Sequence, residues 1–162
     1  MLSPHSNGRV RNRRRQLPHL STLCVGGWAA AKRVVRVDST PRYEAPAPYR
    51  RFAQALVDQE SFPETSMCVG FFTYPPGAKS HTHQHTAECE IYFVLEGELT
   101  SVQDGRAYRV PRRGLVFIPN GVSHYAHNRS RRRCVFLAVH APTVPDLLEF
   151  KRSWKRIAAR RR

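Results

Sequence analysis

Between Met67 and Pro142 the sequence is a succession of short runs rich in Val, Ile, Phe and Tyr: "MCVGFFTYPPG", "CEIYFVLEGE", "LTSVQDGRAYRV", "LVFIPNG" and "RCVFLAVHAP". Gly, Pro, Asn or Asp separates most of them. Such spacing predicts an all-β antiparallel barrel or sandwich. In "VQDGRAY", Asp104-Gly105 can take the positive φ angles of a tight hairpin turn. At 162 residues the chain is long enough for one domain with a real core. No stretch approaches the roughly 18 uninterrupted apolar residues of a membrane helix.

The net charge of +15 belongs to the ends. Residues 1–37 carry eight Lys/Arg and residues 151–162 carry seven, with no acid in either segment. Residues 38–150 hold twelve basic and twelve acidic residues. The high isoelectric point therefore describes the tails rather than the domain. Those tails lack interleaved aromatics beyond Trp28 and Trp154, so nucleic-acid binding is the weakest functional reading.

Residues 1–37 read as a basic, disordered extension, or as the product of an upstream start. A targeting segment is the alternative: Arg14-Arg15 precedes an apolar run ending at Ala29-Ala30-Ala31, although Pro18, His19 and Gly26-Gly27 interrupt it. Residues 38–142 form the expected domain. Its opening "PRYEAPAPYRRF" reads as an extended arm, and "RRFAQALVDQ" as a short helix. In residues 143–162, Leu147, Phe150, Trp154 and Ile157 recur every three or four positions, which predicts an amphipathic helix with a basic face. Thr143 with Asp146 resembles a capping box, and Pro145 suits a first turn. Cys24, Cys68, Cys89 and Cys134 are widely spaced without a CxxC pair, which points to reduced thiols in a cytoplasmic protein.

The chemistry concentrates in "SHTHQHTAECE" at 80–90. Residues two apart on a strand share a face, so His81, His83 and His85 can form one row and Glu88 and Glu90 another. Imidazoles facing a carboxylate inside a small barrel suit a divalent metal; the bland alternative is a solvated His-rich loop. Two triplets have the same spacing, His81/His83/Glu88 and His83/His85/Glu90. The flanks separate them. Gly77 lies six residues before His83 and Gly97 seven after Glu90, whereas the earlier triplet has Pro75 and Leu95 at the matching places. Glycine is needed where the chain turns or passes closely between strands, so the later triplet fits.

Gly77-x5-His83-x-His85-x4-Glu90-x6-Gly97 resembles the first signature motif of the cupin superfamily, and Pro119-x-Gly121-x2-His124-x3-Asn128 resembles the second. The resemblance covers about residues 67–140. One departure stands out: the second motif usually opens with Gly six residues before the proline, where this chain has Arg113, with Gly114 one place later. A shortened or bulged turn is expected there. The resemblance implies a single jelly-roll barrel, flanked here by an N-terminal arm and a C-terminal helix. It also implies that His83, His85, Glu90 and His124 ligate one divalent transition metal. That ligand set suits Fe, Mn, Ni, Zn or Cu. Four protein ligands leave an octahedral ion one or two open positions, as a catalytic site requires.

The neighbouring residues have competing readings. His81 is a donor at the barrel mouth or, more simply, a solvated histidine. Glu88 is a general base or an exposed carboxylate at the strand entry. Tyr92 shares the face of Glu90 and lines the pocket or belongs to the core. Cys89 and His127 alternate away from the site, and His140 has no assigned role. "RSRRR" at 129–133 reads as a solvated turn. Three functions remain: a metal-dependent enzyme on a small oxygenated organic substrate, with dioxygenase chemistry first and isomerase, lyase or decarboxylase chemistry after it; a metal-dependent ligand binder or sensor; and nucleic-acid binding through the tails. Small cupins commonly pair, so a homodimer is expected.

Overall fold

In a computed structural model of the protein, residues 34–143 and 149–157 are described. The expectations for residues 1–33, including the extension and its targeting alternative, lie outside them. So do Leu147 and the capping residues Pro145 and Asp146.

Ten strands run through the described chain: β1 (Arg42–Glu44), β2 (Phe52–Val57), β3 (Cys68–Tyr74), β4 (Cys89–Glu96), β5 (Glu98–Gln103), β6 (Arg106–Pro111), β7 (Leu115–Ile118), β8 (His124–His127), β9 (Cys134–Ala141) and β10 (Lys155–Ile157). They form two antiparallel sheets, one ordered β10-β1-β2-β3-β9-β4-β7 and the other β6-β5-β8. This is the jelly-roll expected from the punctuated β-rich runs. Side chains from both sheets meet in one core that includes Tyr74, Tyr92, Val94, Leu99, Val110 and Phe136. The Asp104-Gly105 turn joins β5 to β6, with φ of 45° and 80°.

The segment after β3 extends the smaller sheet. Lys79 and His83 form bridges to His127 and His124 of β8, which places the first histidine cluster directly opposite the second motif. Asn128 explains its place in that motif. It is fully buried, its Nδ2 donates to the carbonyls of Tyr74 and Arg132, and its Oδ1 accepts from Ser130. It thereby ties the 129–133 turn to the end of β3. Pro119 and Gly121 (φ 76°) shape the turn before β8, and the Gly121 N–H donates to the carbonyl of His85 at 2.6 Å. The departure at Arg113 is absorbed locally. Arg113 itself takes φ 65° in a turn closed by Gly114 N–H to the Pro111 carbonyl. The β4–β7 register stays regular, with Glu90 opposite Ile118.

Two helix expectations are corrected. "RRFAQALVDQ" contributes β2, not a helix, because Gln54 and Ala53 are buried between neighbouring strands and Gln54 Nε2 donates to the carbonyls of Val37 and Thr40. Among the described residues the C-terminal helix is α1 (Glu149–Ser153), and where the expected helix would continue the chain turns extended as β10 against β1. Its charge is not simply solvated. Lys151 Nζ donates to buried Asp58 at 3.0 Å and also pairs with Glu60. Burial of Asp58 works to raise its pKa, but the hydrogen bonds from Lys151 and Ser61 hold it below the ordinary value. Among the described residues no helix is long and apolar enough to cross a membrane.

Candidate metal centre

Glu90 occupies the centre. It lies on the inward face of β4, 3% exposed, opposite His140 on β9 and Ile118 on β7. Its Oε2 is 2.9 Å from His124 Nε2, 3.5 Å from His85 Nε2 and 3.0 Å from the Tyr92 hydroxyl that donates to it. Its Oε1 is 3.0 Å from His140 Nε2. Burial alone would raise the carboxyl pKa, but the surrounding imidazoles hold it well below its ordinary value, as an anion. The Tyr92 hydroxyl is pushed the other way, first by burial and then by Glu90.

The three motif histidines share one arrangement. His83 Nδ1 donates to the carbonyl of His81 at 3.0 Å, and His124 Nδ1 to that of Val122 at 2.9 Å. His85 Nδ1 lies 2.7 Å from Glu88 Oε1. A carbonyl can only accept, so Nδ1 carries the proton in His83 and His124; the Glu88 carboxylate imposes the same tautomer on His85. Nε2 is left in each ring as the nitrogen that a metal would take as its ligand atom. The backbone bridge brings the His83 and His124 rings together, tilted by 53° with centroids 4.3 Å apart. One potential ligand atom from each of His83, His85, Glu90 and His124 lies within 4.8 Å of all the others.

That donor set fits a divalent ion. The buried Nε2 of His85 has no hydrogen-bond partner, an orphan that a metal would satisfy. Burial pushes the His83 imidazole down to about 4, so it stays neutral, as a ligand must be. Burial also works to lower the His124 pKa, but the hydrogen bond to Glu90 raises it overall.

The remaining candidates are placed as follows. Glu88 is not an exposed carboxylate: it is buried and braces His85, because the chain folds back before β4. Tyr92 both lines the cavity beside the cluster and holds Glu90. His81 is exposed at the cavity rim, 3.5 Å from an Arg51 amine. Cys89 is half-buried on the opposite face of β4. His127 receives a hydrogen bond from Arg129 and takes no part in the cluster. His140 was not legible as a site residue. It lines the cavity, bonds Glu90, and forms a second possible ligand group with His85 and Glu88. Only the β4–β9 register, which sets it opposite Glu90, reveals this. The cavity over the cluster has a volume of about 400 Å³.

Residues 70–140 match the family described as a cupin domain, spanning both motifs. The matched region, residues 70–140, is a cupin domain. This cupin is 29% identical over 115 residues to the "Beta-D-galactosidase Rv1717" of Mycobacterium tuberculosis, covering 71% of this chain and 98% of that one. It is 29% identical over 84 residues to an "Oxalate-binding protein" of Thermotoga maritima, covering 52% of this chain and 69% of that one. A crystal structure of a "predicted oxalate decarboxylase" from Thermotoga maritima superposes with a TM-score of 0.60 at 26% identity, covering 68% of this cupin and 99% of that chain.

Proposed function

We propose that this cupin is a metal-dependent enzyme acting on a small oxygenated organic molecule bound in the cavity. His83, His85, Glu90 and His124 would hold one divalent ion, of Fe, Mn, Ni, Zn or Cu type. The ion would act as a Lewis acid on a substrate oxygen or, as iron, support dioxygenase chemistry; isomerase, lyase or decarboxylase chemistry uses the same polarisation. The observation that carries the reading is the arrangement of three imidazoles, each anchored at Nδ1, with Glu90, beside a cavity large enough for a small ligand. Within it, Glu88 and the two carbonyls orient the rings, and Tyr92 and His140 fix Glu90. His140 Nδ1 is buried and without a partner, so it is available to hold or accept a proton.

The test is turnover of a panel of hydroxy acids, oxo acids and sugars by protein loaded with each metal in turn, with oxygen uptake followed for the iron form. Turnover with at least one metal is expected. Binding of these compounds without turnover by any metal form would favour a ligand-binding role, the reading supported by the name of the Thermotoga relative.

The expected homodimer has a candidate surface. Outward residues of β3, β9, β4 and β7 form two uncharged rows across the large sheet: Phe71, Leu137, Phe93 and Leu115, then Val69, Val139, Ile91 and Phe117. Leu115 and Phe117 are 58% and 52% exposed. A second copy of this face would complement it, since neither side brings a charge to bury. Sedimentation of Phe117→Lys is expected to show monomer where the wild type sediments as a dimer; a monomeric wild type would exclude the pairing.

A further inference from the structure

Arg51, immediately before β2, is 7% exposed and lines the same cavity as His83, His85 and Glu90. One amine donates to the Tyr74 hydroxyl at 3.0 Å, and another lies 3.5 Å from His81 Nδ1. Its Nε is buried without a partner. The guanidinium carbon sits 4.8 Å from the centroid of the Trp154 ring. Among the described residues no carboxylate pairs with it. A guanidinium presents five N–H donors and cannot shed its charge, so burial without an anion is costly. Aromatic faces and a phenol offset only part of that cost.

The position matters as much as the charge. His81 stands between Arg51 and the cluster, with its ring centroid 5.0 Å from that of His83. The cavity is therefore bipolar: ligand atoms for a cation at one end, a fixed cation at the other, and the rings of Tyr49, Phe150 and Trp154 along the wall. We infer that the ligand of this cavity is a small organic carboxylate, its carboxylate taken by Arg51 while its other oxygens face the histidine cluster. Among the described residues Arg51 is the one Lys or Arg lining the cavity, which suits the single charge of a carboxylate better than a phosphate dianion. The inference rests on the proposed substrate site and adds the substrate class to it.

Calorimetric titration of the full-length Mn-loaded protein tests this with matched probes: D-galacturonate against D-galactose, acetate against acetamide, and inorganic phosphate. The carboxylates are expected to bind at least about tenfold more tightly than their neutral partners. Arg51→Gln is expected to bring both ratios close to one, and Arg51→Lys to keep part of the preference, with metal content equal in all three proteins. Ratios near one in the wild type would overturn the inference, and that measurement needs no variant to fold. Ratios that persist in Arg51→Gln, or tighter binding of phosphate than of any carboxylate, would also overturn it. A protein that takes up no metal removes the proposed enzyme instead. In that case a carboxylate preference lost on Arg51→Gln still supports the anion subsite.

Discussion

His124→Ala is expected to lose its bound metal, and His83→Ala and Glu90→Gln to lose most of theirs. Structural metal sites with four ligands are worth of order 12 kcal/mol, so each ligand carries about 3 kcal/mol, or about 100-fold in affinity. His124 is chosen first because it is 1% exposed, anchored through Val122 and in contact with Glu90. His81→Ala should retain metal, since the His81 carbonyl, not its ring, holds His83. Glu88→Ala frees the His85 ring and should weaken binding by about 10-fold to 100-fold, the usual cost of removing a partner behind a ligand. Metal content after dialysis against a competing chelator measures the whole series. Equal loss from His81→Ala and His83→Ala would mean that the other histidine triplet holds the ion.

Gly97→Ala should be the most damaging small substitution in the barrel, at about 3–4 kcal/mol. Gly97 joins β4 to β5 at φ 73°, and an added Cβ would overlap the Arg133 carbonyl oxygen and lie 3.1 Å from the Cys134 Cα. Both obstacles are backbone at the start of β9, so neither can swing aside. Gly77 and Gly121 have φ of 76° but nothing within 4 Å of a Cβ, so alanine there should cost only about 1 kcal/mol of backbone strain. Arg113, at φ 65° where the motif usually has glycine, offers the reverse: Arg113→Gly should gain about 0.5–1 kcal/mol. Denaturant melts of the four variants check the ranking. A Gly97→Ala melt no worse than that of Gly77→Ala would show that β4 and β9 do not pass so closely.

These glycines also show why much of the architecture was readable in advance. A turn that needs positive φ, or a strand crossing that excludes a Cβ, leaves its mark as a single residue at a fixed place. In "CEIYFVLEGE" it is the motif spacing around Glu90 that marks the inward face shared with Tyr92, since the run from Ile91 to Leu95 is apolar on both faces. What stayed hidden depends on pairing between distant segments. Lys155–Ile157 is an edge strand only because β1 lies beside it, and its three- and four-residue spacing with Trp154 and Phe150 imitates a helix. "FAQALV" carries four good helix formers, Ala53 to Leu56, and tertiary pairing with β3 overrides them. His140 and Arg51 gain their meaning from the cavity they share with Glu90, across 50 and 39 positions of sequence respectively. Glu88 reads as an exposed residue until the fold-back before β4 brings it onto His85.

The most direct measurement is X-ray absorption at the metal edge of the protein, loaded to saturation with one transition metal and freed of excess. One ion per chain is expected, with nitrogen and oxygen scatterers at roughly 2.0–2.2 Å and the outer-shell pattern of three imidazoles. The pattern of one imidazole fewer is expected in His124→Ala. A sample that retains no metal, or an ion whose shell contains sulfur or is unchanged in His124→Ala, would contradict the four-residue centre.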